Sequence, residues 1–409
     1  FAAPEPTFAP MQLLAQILLW GSVLALAHSY VFFPLLMKWL ATGKKPNSQV
    51  FAADDPALPA VTVLMSVYNE EKVIGEKVES LRRLDYPADK LHLYIGSDCS
   101  DDTTNAIVGE AATTQPNLHF YPFSQRRGKP PVINELASIA LERHNAGPDH
   151  IFLLTDASVM LRPDTVYQLV RHFRNPAIGV VDAHMRSVGL RGEGISRSED
   201  RYLSGEVRLK YHESIVWGQM IGPFGGCYAL RSDLFEPVPP NSLVDDFWLV
   251  FRVLEKGFQA VNDLDAVCYE GATHRVRDEF RRKKRIAAGS FQNLARFRRW
   301  VLPPRTTLGF AFFSHKVLRW FGGFLILLSW LSCAYLALYQ PLYRVLLLLM
   351  TAGLVGVPLL DWVLARLRIT FLPVKNLAYF LAMNAALIAG FFKWRNGIRE
   401  NTWQRTTRY

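Results

Sequence analysis

Hydrophobic positions fall into two regimes along the chain. At the N-terminal end, Met11 to Met37 is a stretch with no formal charge. It exceeds the roughly 20 residues that cross a bilayer core. Trp320 to Tyr343 and Val345 to Ala365 form two further apolar stretches, the latter with a single acid, Asp361. Leu377 to Phe392 is shorter and contains Asn384. Between these regions the pattern changes to short apolar runs separated by amphipathic segments. Val61–Met65, Leu91–Ile95, Leu118–Tyr121 and Ile151–Leu154 have the length and bounding residues of buried strands. Helical segments follow each of the first three, after Glu71, Ser100 and Pro131. This alternation predicts an α/β domain: a mostly parallel sheet with helices on both faces. The whole chain then divides into an N-terminal transmembrane anchor (1–52, span about 11–37), a central domain (53–300) and a helical region (301–409).

In open α/β sheets ligands bind at the carboxyl ends of the strands. Three polar clusters fall there: Tyr68-Asn69-Glu70, Asp98 to Thr103, and Asp156-Ala157-Ser158. Each alone reads equally as a turn or a helix cap. Arg126-Arg127-Gly128-Lys129 alone reads as a solvated basic loop. Together they gather acids and basic groups at one sheet edge, as a site for a cation and phosphates requires. No glycine-rich dinucleotide fingerprint or P-loop is present.

Composition sharpens this picture. Charged residues make up 20% of the chain and hydrophobic residues 50%, a balance that favours a membrane component over a soluble protein. The formal net charge is +10, with Arg and Lys crowded between Arg275 and Arg305. That stretch reads as a juxtamembrane surface for anionic lipids and not as a nucleic-acid site. Lys38, Lys44 and Lys45 follow the first apolar stretch and place the central domain in the cytoplasm. The four cysteines are dispersed, which excludes a disulfide scaffold or zinc ribbon.

The ordered set of motifs resembles the family 2 glycosyltransferases, in particular the membrane-embedded branch of cellulose, chitin and hyaluronan synthases. Tyr68, Asn69 and Glu70 match the opening nucleotide motif, and Asp98 with Ser100, Asp101 and Thr103 the uridine motif. Gly128-Lys129 matches the next element, Asp156-Ala157-Ser158 stands where the family has Asp-x-Asp, and Gly225-Gly226 with Arg231 resembles the acceptor-side segment. Val244-Asp245-Asp246 stands where the family has Thr-Glu-Asp. The resemblance implies a nucleotide-sugar-binding domain of the GT-A type. It implies inverting transfer from a UDP-sugar to a growing glycan or lipid-linked acceptor at the cytoplasmic face of the plasma (inner) membrane. Mg²⁺ or Mn²⁺ is the implied cofactor, held by Asp156 and Ser158. Tyr68, Glu70, Asp98, Lys129, Asp156, Arg282 and Arg285 are the implied donor-binding residues. Asp246 is the implied general base, with Asp245 beside it; a cap for a helix Phe247–Lys256 is the competing reading for one of these acids.

Two departures qualify the resemblance. Ser158 replaces the second metal-site carboxylate. The processive enzymes' Gln-x-x-Arg-Trp is here Arg282-Lys283-Lys284-Arg285-Ile286. Loss of its Gln and Trp makes addition of one sugar to a lipid a strong alternative to polymer synthesis. Rival classes are a catalytically inactive scaffold, suggested by Ser158, and a transporter, disfavoured by the scarcity of intramembrane acids. At the C-terminus, Trp403, Thr406 and Arg408 resemble a gating loop over the donor. Such a loop is cytoplasmic, so Leu377–Phe392, with about 16 uncharged residues, is expected to be an interface helix and not a span. A second, amphipathic interface helix is expected just before Trp320.

Overall fold

The computed structural model describes residues 9–144, 147, 149–189, 196–272, 276–301 and 305–398. They form two compact units, an α/β unit within 37–192 and 199–274 and an apolar helical unit made chiefly of the N-terminal helix and 275–396.

The α/β unit contains one eight-stranded sheet: β1 (Ala60–Val67), β2 (Leu91–Asp98), β3 (Leu118–Phe123), β4 (His150–Thr155), β5 (Val159–Leu161), β6 (Ile178–Val188), β7 (Cys227–Arg231) and β8 (Gln259–Gly271). Their order is β3-β2-β1-β4-β7-β6-β8-β5. The β3-β2-β1-β4 half is parallel, β7 runs antiparallel to both neighbours, and β6 and β8 are parallel. β1 and β4 are buried almost throughout, so both read as continuous apolar runs and not as alternating ones. The carboxyl ends of β1, β2 and β4 therefore lie along one edge, which carries Tyr68, Asp98 and Asp156. β7 enters this edge at Cys227, opposite Thr155.

The other sheet edge carries a group of histidines. His92 and His144 stack at 4.0 Å, His144 shares a hydrogen bond with the Tyr94 hydroxyl (3.0 Å), and His150 does so with Thr62 (2.8 Å). Burial lowers the pKa of His92, His119, His144 and His150, the last to about 4.

Among the described residues, three helices are long and apolar enough to cross a membrane: Pro10–Ala41, Pro341–Arg366 and Leu372–Arg395. The pair Thr307–Trp320 and Gly322–Ala337, bent by 64°, would be a fourth crossing if it forms one span. Two features bear on the sequence expectations here. The last helix runs for 24 residues, through Lys375 and Lys393, beyond the uncharged Leu377–Phe392 core. At 1.5 Å per residue it is about 36 Å long, so shortness no longer argues against a span. In the segment before Trp320, expected as an amphipathic interface helix, several polar side chains are engaged within the apolar unit. His315 and Arg319 are buried, His28 pairs with Ser314 (2.9 Å), and Arg319 donates to the Ser29 carbonyl (3.2 Å). The helix Val276–Arg296 also belongs to this unit. A Cβ on Gly390 would strike the Ala287 methyl and the Lys284 carbonyl, so the segment standing for Gln-x-x-Arg-Trp continues into a close helix contact.

The histidine edge generates a prediction. These groups are neutral in the folded state but titrate near 6.5 when unfolded, so stability should fall as pH drops below about 6.5. His150 alone accounts for roughly 3 kcal/mol of that loss by about pH 4. His150→Gln should flatten the fall in thermal midpoint between pH 6.5 and 4; a fall as steep as that of the parent protein would contradict this assignment.

Candidate active site

The site is built on loops that the sheet edge holds together. Leaving β1, Asn69 adopts a left-handed conformation (φ 51°), as does Cys99 after β2 (φ 60°). Asparagine tolerates that region better than most residues. The two loops are then laced together. Asn69 Nδ2 donates to Asp101 (2.5 Å), Asp101 N donates to Asn69 Oδ1 (3.0 Å), Asn69 N donates to Ser100 Oγ (3.1 Å), and Glu70 N donates to Thr104 Oγ1 (2.8 Å). Ser100 and Asp101 thus join loops across the edge and do more than cap a helix.

Asp98 is 1% exposed, and its two oxygens accept the backbone N–H groups of Arg127 (2.6 Å) and Gly128 (2.8 Å). Gly128 takes a positive φ of 86°, which turns the chain into the helix Lys129–His144. The first action of Asp98 is therefore to fix the loop that delivers Lys129. Arg126 lies 3.6 Å over the Tyr68 ring, covering one face of it.

Lys129 is the centre of the cluster. Its ammonium donates to Asp156 Oδ1 at 2.7 Å and lies 3.6 Å from Asp245 Oδ2. Burial opposes its charge, but Asp156, Asp245 and Asp246 outweigh burial and hold it protonated above its ordinary range. The helix Asp245–Glu255 begins with both acids in its first turn and Val244 at the cap, so neither acid is the N-cap. Asp246 Oδ1 accepts the Phe247 N–H (2.8 Å). Burial and the neighbouring Asp245 raise the Asp246 pKa to about 7, with Lys129 pulling the other way. A carboxylate so placed takes up and releases protons near neutral pH.

Gly225 and Gly226 complete the floor. Gly225 has a φ of 85°, and a Cβ there would run into the Asp246 carboxylate. The Gly226 carbonyl accepts the Asp156 N–H and the Thr155 hydroxyl, both at 3.1 Å. Phe224 N donates to the buried Asp182, which is paired with Lys210 at 2.6 Å. Tyr228, buried below, has a pKa raised well above the usual value by burial and by the surrounding carboxylates. Its hydroxyl has no hydrogen-bond partner among the described residues.

Ser158 donates to Glu270 Oε1 at 3.3 Å. Asp156, Ser158 and Glu270 offer only hard oxygen donors, the kind Mg²⁺ and Mn²⁺ take, and the Asp156 side chain is 39% exposed and open to a ligand. The residues present therefore fit a divalent cation, although no cluster of three His, Cys, Asp or Glu occurs among the described residues.

The structure brings together Lys129, Asp156, Gly225, Gly226, Asp245 and Asp246, with Tyr68, Glu70 and Asp98 on neighbouring strand ends. Arg231 falls elsewhere. It pairs with Ile151 at the opposite end of β7 and donates to the Ile178, Phe173 and Asn175 carbonyls. It is a buried clamp on backbone, not an acceptor contact. Arg282 is ion-paired with Glu279 (2.9 Å) in the apolar unit, which also contains Arg285. Trp403 and Arg408 lie outside the described residues.

Sequence reasoning missed Lys77. It is fully buried, donates to Thr155 Oγ1 (2.9 Å) and the Val159 carbonyl (2.5 Å), and burial lowers its pKa to about 8. The signal was present: Ile74, Lys77, Val78 and Leu81 form one helical stripe with a lysine among apolar residues.

The glycine contact is directly testable. Gly225→Ala adds a methyl group against Asp246 and a left-handed strain of about 1–2 kcal/mol. Sugar transfer should fall at least about tenfold, by loss of the Asp246 geometry. Nucleotide binding, measured by calorimetry, should stay near that of the parent protein.

Comparison with known proteins accords with this geometry. Residues 62–236 match the model of Glycosyl transferase family 2, and residues 150–393 match that of Glycosyl transferase family group 2. A beta-monoglucosyldiacylglycerol synthase from Synechocystis sp. is 24% identical over 300 residues, covering 69% of this chain and 59% of the relative. A second, from Nostoc sp., is 24% identical over 260 residues, covering 62% and 53%. The chain thus spans a little over half the length of these relatives. A solved mannosyltransferase from Pyrobaculum calidifontis, in complex with GDP-Man and Mn²⁺, shares the fold with a TM-score of 0.69 and 24% identity, covering 92% of this chain and 99% of that one. With the family group 2 model spanning more than half of it, this chain belongs to the family 2 glycosyltransferases and has their GT-A-like fold.

Proposed function

We propose that the protein is an inverting glycosyltransferase that moves one sugar from a nucleoside-diphosphate sugar, a UDP-sugar in the first instance, to a hydroxyl of a membrane lipid. The observation that carries this reading is Asp246, a carboxylate with a pKa near 7 beside Gly225 and next to Asp245, which shares Lys129 with Asp156. Asp156 and Lys129 form the leaving-group side. Asp156, with Ser158 and Glu270, would hold the divalent cation, whose charge would stabilise the departing diphosphate. Lys129 adds a fixed positive charge there. Asp246 takes the proton of the acceptor hydroxyl as its oxygen bonds to the anomeric carbon and the diphosphate leaves from the opposite face. A positioned base of this kind contributes about 10²–10⁴-fold.

The lipid acceptor is supported by the apolar unit, by the absent Gln-x-x-Arg-Trp and by the names of the glycolipid-forming relatives. The basic residues after the first apolar helix support a catalytic unit on the cytoplasmic side. The processive pattern's Trp is Ile286 here.

The defining experiment supplies purified protein with UDP- and GDP-sugars, Mn²⁺ and diacylglycerol vesicles, and follows nucleotide release and product mass. A single-hexose glycolipid is expected; release without any lipid product would reject the acceptor. Because Asp246 must be unprotonated, kcat/KM should rise with pH and level off above about 7. Asp246→Asn should lower kcat by at least about 10²-fold with nucleotide binding intact. An unchanged rate in that variant would remove Asp246 from the chemistry.

The cation should also respond to position 158. Ser158→Asp restores a charged ligand and should lower the Mn²⁺ concentration for half-maximal activity about tenfold. An unchanged requirement would place Ser158 away from the cation.

A further inference from the structure

The turn carrying Asp156, Ala157 and Ser158 joins β4 to β5, and loops of this kind are mobile unless tied down. Here the tie comes from the fully buried Lys77 on the helix Ile74–Arg82. Its ammonium reaches Thr155 Oγ1 at 2.9 Å and the Val159 carbonyl at 2.5 Å. These are the last residue of β4 and the first of β5, so one group pins both ends of the turn. The Thr155 hydroxyl passes the connection on to the Gly226 carbonyl, which also accepts the Asp156 N–H. Gly226 adjoins Gly225, the residue packed on Asp246. A methionine would fill the same helical stripe without the desolvation cost of an ammonium, so packing alone does not account for a lysine.

We propose that Lys77 is a positioning residue: through Thr155 and the Val159 carbonyl it fixes the Asp156–Ser158 turn for the cation and diphosphate, and ties that turn to the glycine loop beneath the base. This deepens the donor-site reading above and rests on it. Lys77 touches neither donor nor acceptor. Its effect should therefore appear in donor-side affinity and in its coupling to Thr155, not merely in overall stability.

The test uses the full chain in detergent, titrated by calorimetry with UDP and separately with GDP, each with Mn²⁺, alongside thermal midpoints. Lys77→Met should weaken nucleotide binding by the folded protein about tenfold or more, as misplacement of a binding turn does. Thr155→Val removes only the hydroxyl link and should weaken binding about fivefold, the worth of one hydrogen bond. The double variant should be no weaker than Lys77→Met within about twofold, because the two act through one connection. Nucleotide affinities equal to the parent's in both single variants would overturn the proposal, as would strictly multiplicative effects in the double variant. If Lys77→Met does not fold, Thr155→Val decides: a fivefold loss supports the role, and parental affinity overturns it. A parent protein that binds neither UDP nor GDP would reject the donor-site reading itself, and the role of Lys77 with it.

Discussion

The Lys129 ammonium, shared among carboxylates from two separate elements, is the constraint on which the site depends. Asp156 comes from the end of β4, and Asp245 and Asp246 come from the first turn of a helix nearly ninety positions further along the chain. Acids brought this close repel, and burial together with the neighbouring Asp245 raises the pKa of Asp246. A partly buried cation between them makes the assembly tolerable, yet it does not cancel the rise at Asp246. The residual imbalance is chemically useful, since an acid pushed up toward neutrality is a base suited to neutral pH. Asp98 serves this arrangement indirectly, by holding the Arg127–Gly128 backbone from which Lys129 projects.

Much of this was legible in the sequence because parallel strands send their carboxyl ends to one edge. Once β1, β2 and β4 are recognised as buried apolar runs, the polar residues after each must converge. The strand–helix alternation thus put the loop before Lys129 and the Asp156 cluster at one sheet edge, and the family resemblance supplied their roles. Resemblance gives Arg231 a position in the chain and no direction. β7 runs antiparallel to β4, so a residue only a few positions beyond Gly226 has already travelled to the far edge. Lys77 was overlooked for the opposite reason. It lies in a helix whose apolar stripe explains the segment without it, and its partners are a hydroxyl and a carbonyl with no motif of their own.

The apolar unit shows a different limit. Counting uncharged residues stopped the last helix at Phe392, whereas backbone hydrogen bonding continues through Lys393 to Arg395. Lysine and arginine are good helix formers and carry long apolar stems, so charge bounds hydrophobicity without bounding the helix. The small residues around Ala287 and Gly390 likewise have a packing purpose that no catalytic motif would reveal. There the chain departs from the processive pattern and gains a close helix contact.

Burial and Asp245, only partly offset by the Lys129 ammonium, leave Asp246 as a base poised near neutrality. The most direct measurement is a ¹³C-carboxyl titration of Asp-labelled protein, with Asp246→Asn used to assign the resonance. A carboxyl that titrates at about 7 and is absent from the variant is expected. An Asp246 resonance titrating near 4, where unperturbed aspartates do, would contradict it.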